Sequence, residues 1–577
     1  MRRVLLSLLI AVAPLSACSQ APTNQAVTMT DGAGVDPQWD MFSKDFIEGY
    51  FRQDPYFAVY QGRHDFDGRL PDWSEAGLKA QEDFLKDALK KAEAFDAQNM
   101  SKEQLFERDY LIAVAKGRLF WLEDADKPHH NPSFYIENGL DPNVYIARPY
   151  ADAATRMKAF IAFAKRVPGA AAHIRENLKM PMPASFIDFG TAGFKGLAAY
   201  YTGDAKTAFA SVKDPALQRE FDDAAGPASK AMSDLATWLE HGRKTQTKDF
   251  ALGADRFSRM LSATEMVDTP LDELERVGQA DLKRNQDALK AACAKFAPGA
   301  DVPACMAKMS AHKPAGGVVA AARKQLPDLK AFIAKTDIVS IPGTEQAQVE
   351  ESPPYNRQNG AYIDIPGPYE KGLPSVYYIS PPDPSWTKAV QDGYIPGEKS
   401  LLFTSVHEVW PGHFLNFLHS NRSKFTFGKI FVGYAFAEGW AHYAEEMVWD
   451  AGLNNGDPET HIGQLSNALL RDCRYLSAIG MHARGMTQEQ SRKMFVEQCY
   501  QDEGSARQQA ARGTYDPAYL NYTMAKLMIR RLRDDWTKDK GGRSAWKAFH
   551  DGFLSYGGPP IPLVRAQMMG GKPEAVF

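Results

Sequence analysis

The chain has 577 residues, 44% of them hydrophobic, and 67 Lys and Arg stand against 71 Asp and Glu for a formal net charge of −4. Such a charge excludes the basic footprint of a nucleic-acid binder and of a protein drawn to an anionic membrane surface. By length the chain would suit three or four average domains, yet no clean break in composition divides it.

Met1-Arg2-Arg3 is a short basic start, and Val4 to Leu15 is mostly apolar. That run is too short to span a bilayer and right for the core of a signal peptide. Leu15-Ser16-Ala17-Cys18 then reads as a lipobox. Residues 1–17 are expected to be a lipoprotein signal peptide, with Cys18 lipidated as the first mature residue. The competing reading is an ordinary signal peptide with an incidental Cys. Ser19, where Asp would retain a lipoprotein at the inner membrane, directs the expectation to the periplasmic face of the outer membrane. The lipid would be the only membrane contact. Removing residues 1–17 takes away Arg2 and Arg3, leaving 65 basic against 71 acidic residues, about −6. Residues 18–40, polar and small from Gln20 to Asp36, read as a flexible tether.

Residues 41–335 read as a helical N-terminal region. Ser101-Lys102-Glu103-Gln104 has the capping-box pattern and opens a helix expected to run through Leu122. Met157, Phe160, Ile161 and Ala164 recur at helical spacing up to Pro168-Gly169. Thr269-Pro270 reads as a cap followed by proline at the first helical position, with Leu271, Leu274, Leu282 and Leu289 behind it. These stripes are core. No fixed-period repeat is present, which excludes a solenoid.

Residues 336–577 read as a catalytic region that opens on a small sheet. Ile338–Ile341, Ala361–Asp364 and Ser375–Ser380, the last containing Tyr377, are short β-prone runs separated by Gly and Pro. One reading makes an edge strand a holder of a substrate backbone, with Tyr377 beside it. The other makes the sheet a structural hairpin. Residues 381–398 read as a loop, and a helix bearing His407 starts near Glu398 or Ser400. Ile462–Leu476, Gln488–Tyr500 and Pro517–Asp535 read as further helices, the second opened by the capping-box pattern Thr487-Gln488-Glu489-Gln490.

The chemistry is concentrated in two stretches. His407-Glu408-Val409-Trp410-Pro411-Gly412-His413 places a carboxylate between two imidazoles. Glu438, His442 and Glu445 follow at i, i+4 and i+7, on one helical face. Two imidazoles and a carboxylate are a zinc donor set, and a further carboxylate can activate water. In H-E-x-x-H the two His lie about 40° apart around a helix, whereas the i,i+6 spacing here leaves them about 120° apart. Pro411-Gly412 is expected to kink or bulge the helix and so return His413 to the metal side. His407, His413 and Glu438 are the expected ligands of one Zn2+ per chain.

These two stretches resemble the gluzincin-type zinc metallopeptidases, whose third ligand is a Glu in a downstream helix. More closely they resemble the bacterial DUF885 family, with its H-E-x-x-P-G-H and E-G-W-A-x-Y-x-E motifs. A third match falls on Arg512, Pro517, Tyr522, Ala525 and Lys526, where Ala525 stands for the family's glycine. The resemblance implies a mainly α, two-lobed metallopeptidase-like fold with a small sheet beside the metal helices. It implies a zinc-dependent peptidase acting on oligopeptides in the cell envelope, with Glu408 as the base. Tyr522 and His442 would stabilise the oxyanion, and Glu445 would orient His442 or a ligand. Arg512 can bind a peptide carboxylate. The alternatives are an amidase acting on cell-wall stem peptides and a lipoprotein that binds peptide or metal without cleaving; Glu408 argues against the last.

With Cys18 lipidated, four cysteines remain, and an even number in an oxidising compartment points to two disulfides. Of three connectivities the local one, Cys293–Cys305 and Cys473–Cys499, is expected. Four free thiols are the alternative.

Overall fold

The computed structural model describes residues 34–353, 357, 360–384, 386–571 and 577. The signal segment 1–17 and Cys18 lie outside them. Helices dominate, with one three-stranded sheet. None of the described helices is long and apolar enough to cross a membrane.

Local signals set many of the helix starts. Ser101 Oγ accepts from Gln104 N–H while Gln104 Oε1 accepts from Ser101 N–H, and the helix runs Lys102–Leu119 before one π turn, Phe120–Asp124. Met157, Phe160, Ile161 and Ala164 are all buried on Ala153–Ala164. Pro168 does not merely stop that pattern. It opens the next helix, Val167–Asn177, in the first turn, where a missing N–H costs nothing. Pro270 is itself the cap of Leu271–Phe296, one position earlier than its expected place.

Buried side chains fall into two clusters. One gathers helices between Pro37 and Gly242, closed by Phe425, Phe427, Ile430, Phe431 and Leu563 from the C-terminal half. The other joins residues from Phe257 to Ile333 to the sheet and to every helix around His407. Arg148, 2% exposed, pins the two together. It binds Asp364 of the sheet at 2.7 Å and Glu370 at 2.8 Å, and donates to Tyr60 O at 2.9 Å.

The sheet has the order β1 (Ala347–Glu351), β3 (Ser375–Ile379), β2 (Ala361–Asp364). β1 runs parallel to β3, with Ala347 opposite Ser375, and β2 runs antiparallel, with Ala361 opposite Ile379. Two of the three expected strands are present. Ile338–Ile341 is not a strand, because helix side chains take its backbone groups. Ile338 O accepts from His550, Ser340 N–H donates to Asp551 and Ser340 O accepts from His419. The remaining strand, β1, is Ala-Gln-Val-Glu-Glu with only Val349 buried, so its polar composition hid it. The expected loop 381–398 holds a short helix, Lys388–Tyr394, capped by Thr387.

Both local disulfides are present. Cys293–Cys305 joins Leu271–Phe296 to Val302–Ala311, and Cys473–Cys499 fixes the middle of the long helix Pro458–Ala483. Loops of this size typically contribute about 3 kcal/mol each through the unfolded chain.

Candidate metal centre

The His407 helix, Glu398–Glu408, ends abruptly. Val409 and Trp410 N–H both donate to Ser405 O, at 3.0 and 3.3 Å, and Gly412 N–H donates to Val406 O at 3.0 Å. The chain therefore doubles back over the last turn. A Cβ on Gly412 would lie 1.8 Å from His407 O, so only glycine allows this approach. Trp440 Nε1 donates to Pro411 O at 2.8 Å and fixes the turn from outside. A new helix, His413–Ser420, starts at the second histidine. The i,i+6 spacing is thus resolved by a full break, not by the kinked continuous helix expected from the sequence. The two imidazoles meet edge to face, with ring centroids 4.8 Å apart.

The Glu438 helix, Tyr434–Asp450, completes the group. His407 Nε2 lies 3.2 Å and His413 Nε2 3.3 Å from the same oxygen, Glu438 Oε2. One donor atom from each of the three residues lies within 4.8 Å of the others, the sole such group among the described residues. Two imidazoles and a carboxylate, converging and mostly buried, suit a zinc ion. Burial would raise the Glu438 carboxyl, but the two imidazoles hold it well below the usual range.

Glu445, one turn beyond His442, is sealed from solvent. Its Oε1 accepts from His407 Nδ1 at 2.7 Å. That bond fixes the ring and turns Nε2 toward Glu438 and His413. Arg471, from Pro458–Ala483, pairs with the same carboxylate at 3.2 Å. Burial disfavours the Glu445 charge, yet Arg471 and the His407 bond outweigh it and hold the carboxyl well below its ordinary value. Burial and the Arg471 charge would lower His407, but its bonds to Glu438 and Glu445 raise it to about 9. A metal entering here must displace that proton.

Glu408 is 8% exposed, and among the described residues its carboxylate accepts no hydrogen bond. Burial pushes its pKa up, against the charges of His413 and His407. A carboxylate held free and raised beside a donor cluster is suited to accept a proton. Tyr377, fully buried on β3, lies close enough for the Glu408 charge to add to burial in raising its hydroxyl.

Tyr522, on Asn521–Thr537, donates from its hydroxyl to Glu438 Oε1 at 3.0 Å and stacks on His407. Arg512 binds Asp516 at 2.9 Å and Tyr434 at 3.0 Å, and its guanidinium carbon lies 6.0 Å from the Tyr522 ring centroid. His442 is not among the converging donors. It is fully buried, its Nδ1 lies 3.7 Å from Glu445 Oε2, and burial lowers it to about 3, so it is neutral. Ala525 does not loosen the helix contact. Gly439 supplies the room, since a Cβ there would fall 2.2 Å from Ala525 Cβ. Lys526, the last residue of the third motif, is buried away from the donors, paired with Asp281 and 3.9 Å from Glu446.

Sequence reasoning missed Arg471 and Arg474. Both are buried around Tyr522, with guanidinium carbons 5.6 and 4.8 Å from its ring centroid. Their signal was two arginines at i,i+3, with Asp472 between them, in a stretch otherwise free of charge, Leu469–Leu476, where a buried charge must have a partner or a task.

A family model described as a bacterial protein of unknown function, DUF885, matches residues 55–568. None of the curated proteins compared with the chain matches it. Two solved structures share the fold. The first is "a putative lipoprotein of unknown function" from Shewanella oneidensis, 23% identical at a TM-score of 0.75, over 92% of this chain and 99% of that one. The second is "the putative lipoprotein" from Colwellia psychrerythraea, 15% identical at a TM-score of 0.77, over 92% and 98%.

Proposed function

The chain belongs to the DUF885 family, and from its donor cluster we propose that it is a zinc-dependent peptidase of the cell envelope. The observation that carries the reading is the convergence of His407 Nε2, His413 Nε2 and a Glu438 oxygen within 4.8 Å, with the unbonded Glu408 next in sequence to one of them. His407, His413 and Glu438 would hold one zinc ion. When bound, zinc supplies Lewis acidity to a carbonyl and to water.

The chain's own groups do the rest. Glu408 accepts the proton of the attacking water and returns it to the leaving amine. The Tyr522 hydroxyl, now on Glu438, is a neutral donor for an oxyanion. Glu445 orients His407 through Nδ1, and His442 backs the other Glu445 oxygen. Arg512 and Tyr377 flank the place a substrate would occupy. The likeness to gluzincin-type peptidases, a two-lobed fold around a cleft and oligopeptide substrates belong to the same reading. So does anchoring through lipid on Cys18 at the periplasmic face of the outer membrane, which the lipoprotein descriptions of both structural neighbours support.

The test is Glu408→Gln. Gln keeps the shape of Glu and cannot accept the proton. Peptide cleavage should fall at least roughly 10²–10⁴-fold while zinc content stays at wild type. An active variant with full zinc removes Glu408 from the mechanism. A zinc-loaded wild type that cleaves nothing in a broad peptide library removes the peptidase reading itself.

A further inference from the structure

Three arginines surround Tyr522, and two of them are neutralised. Arg471 pairs with Glu445 at 3.2 Å, and Arg512 pairs with Asp516 at 2.9 Å. Arg474 has no such partner. It is 8% exposed, its Nε donates to the neutral Gln509 at 2.7 Å, and no carboxylate of a described residue lies within ion-pair distance. Its terminal nitrogens make no hydrogen bond to a described residue, yet they are not among the atoms sealed from solvent. The other two guanidiniums disfavour its charge further, adding to burial. The Tyr522 ring face, 4.8 Å from Arg474, offsets only part of this cost. A buried cation with free, accessible donors and two like charges beside it is a site prepared for an anion.

The position gives the site its meaning. Tyr522 carries Arg474 against one side of its ring, and its hydroxyl is bonded to Glu438 Oε1. The free donors thus stand one aromatic ring away from the donor cluster. We propose that Arg474, flanked by Arg471 and Arg512, binds a carboxylate of the substrate, and that the substrates are peptides whose free C-terminal carboxylate lies close to the bond that is cut. The planar fork of Arg474 suits the two oxygens of a carboxylate. The naming of peptides rests on the peptidase reading, whereas the anion site does not. An acidic side chain offers the same chemistry, so the test separates the two sources.

The experiment compares three probes on the full mature chain, both in cleavage and in calorimetric binding. They are a short N-acetylated apolar peptide acid, its C-terminal amide, and the amide carrying one Glu. Wild type should prefer the acid over the plain amide by about 10- to 100-fold, the range of a charge-assisted hydrogen bond. Read as the acid-to-amide ratio within each protein, Arg474→Gln should abolish that preference, and Arg474→Lys should keep part of it. Thermal melting of both variants reports whether they fold, and the wild-type comparison stands without them. If the acid binds preferentially through Arg474 but nothing is cleaved, the anion site holds and the peptidase reading falls. Preference for the Glu-bearing amide over the acid overturns the C-terminal assignment. Equal affinity of wild type for acid and plain amide, or an Arg474→Gln protein that keeps the preference, overturns the proposal.

Discussion

Glu445→Gln removes one charge from the most buried carboxylate of the centre while conserving its shape. Glu445 is 0% exposed and bonds His407 Nδ1 at 2.7 Å and Arg471 at 3.2 Å. Two losses follow. Arg471 keeps its bond to Asn467 O at 3.0 Å but has no other carboxylate partner among the described residues, and its Nε is already sealed and unbonded. Leaving one member of a buried ion pair uncompensated typically costs 3–5 kcal/mol; with the amide oxygen still able to accept one bond, we expect about 3 kcal/mol. His407 in turn loses a charged acceptor behind Nε2, the nitrogen proposed to hold zinc, and losing such support typically weakens metal binding by about 10–100-fold. The two effects are read separately, the first by calorimetric melting of metal-free protein and the second by zinc competition against a chelator. Zinc affinity unchanged beside a full loss of stability would show that Glu445 serves Arg471 alone. No change in either would refute the buried network as described.

Two further outcomes follow from single residues. Gly412→Ala should abolish stable zinc binding, because its Cβ would fall 1.8 Å from His407 O and force apart the turn that joins the two imidazoles; zinc titration of the folded variant checks this, and wild-type affinity would contradict it. His482 should make the fold acid-sensitive. Its Nε2–H donates to Gly513 O at 2.7 Å, and its Nδ1 accepts from Leu252 N–H at 3.4 Å. Burial therefore holds it neutral and lowers it to about 4. The unfolded chain binds the proton first as pH falls, so this stabilisation is complete above pH ~6.5 and is lost down to pH ~4, about 3 kcal/mol in all. Melting of wild type and His482→Gln across that window should show a shallower pH slope for the variant, and parallel slopes would contradict the assignment.

The parts of the centre that the sequence made legible are those written in local spacing. His407, Glu408 and His413 sit within seven residues, and Glu438 and Glu445 share a helical face, so their grouping followed from periodicity. The capping boxes at Ser101 and Thr487 and the neighbouring cysteine pairs were legible for the same reason. What escaped depends on contacts across the chain. The turn back at Gly412 is set by its approach to His407 O and by Trp440, neither of which a helical wheel contains. Ile338–Ile341 has strand composition, but three side chains from distant helices bind its backbone. Arg471 and Arg474 carry no motif, and their roles arise only once Asn521–Thr537 brings Tyr522 between them and Glu438. Asp281, Lys526 and Glu446 pair deep in the core from three separate helices, which no local pattern shows.

Diffraction from crystals of zinc-loaded protein, recorded on both sides of the zinc absorption edge, tests the central claim most directly. The account predicts one anomalous peak per chain, enclosed by His407 Nε2, His413 Nε2 and the Glu438 carboxylate. A peak at other residues, or a zinc-loaded crystal with no peak among these three, would contradict it.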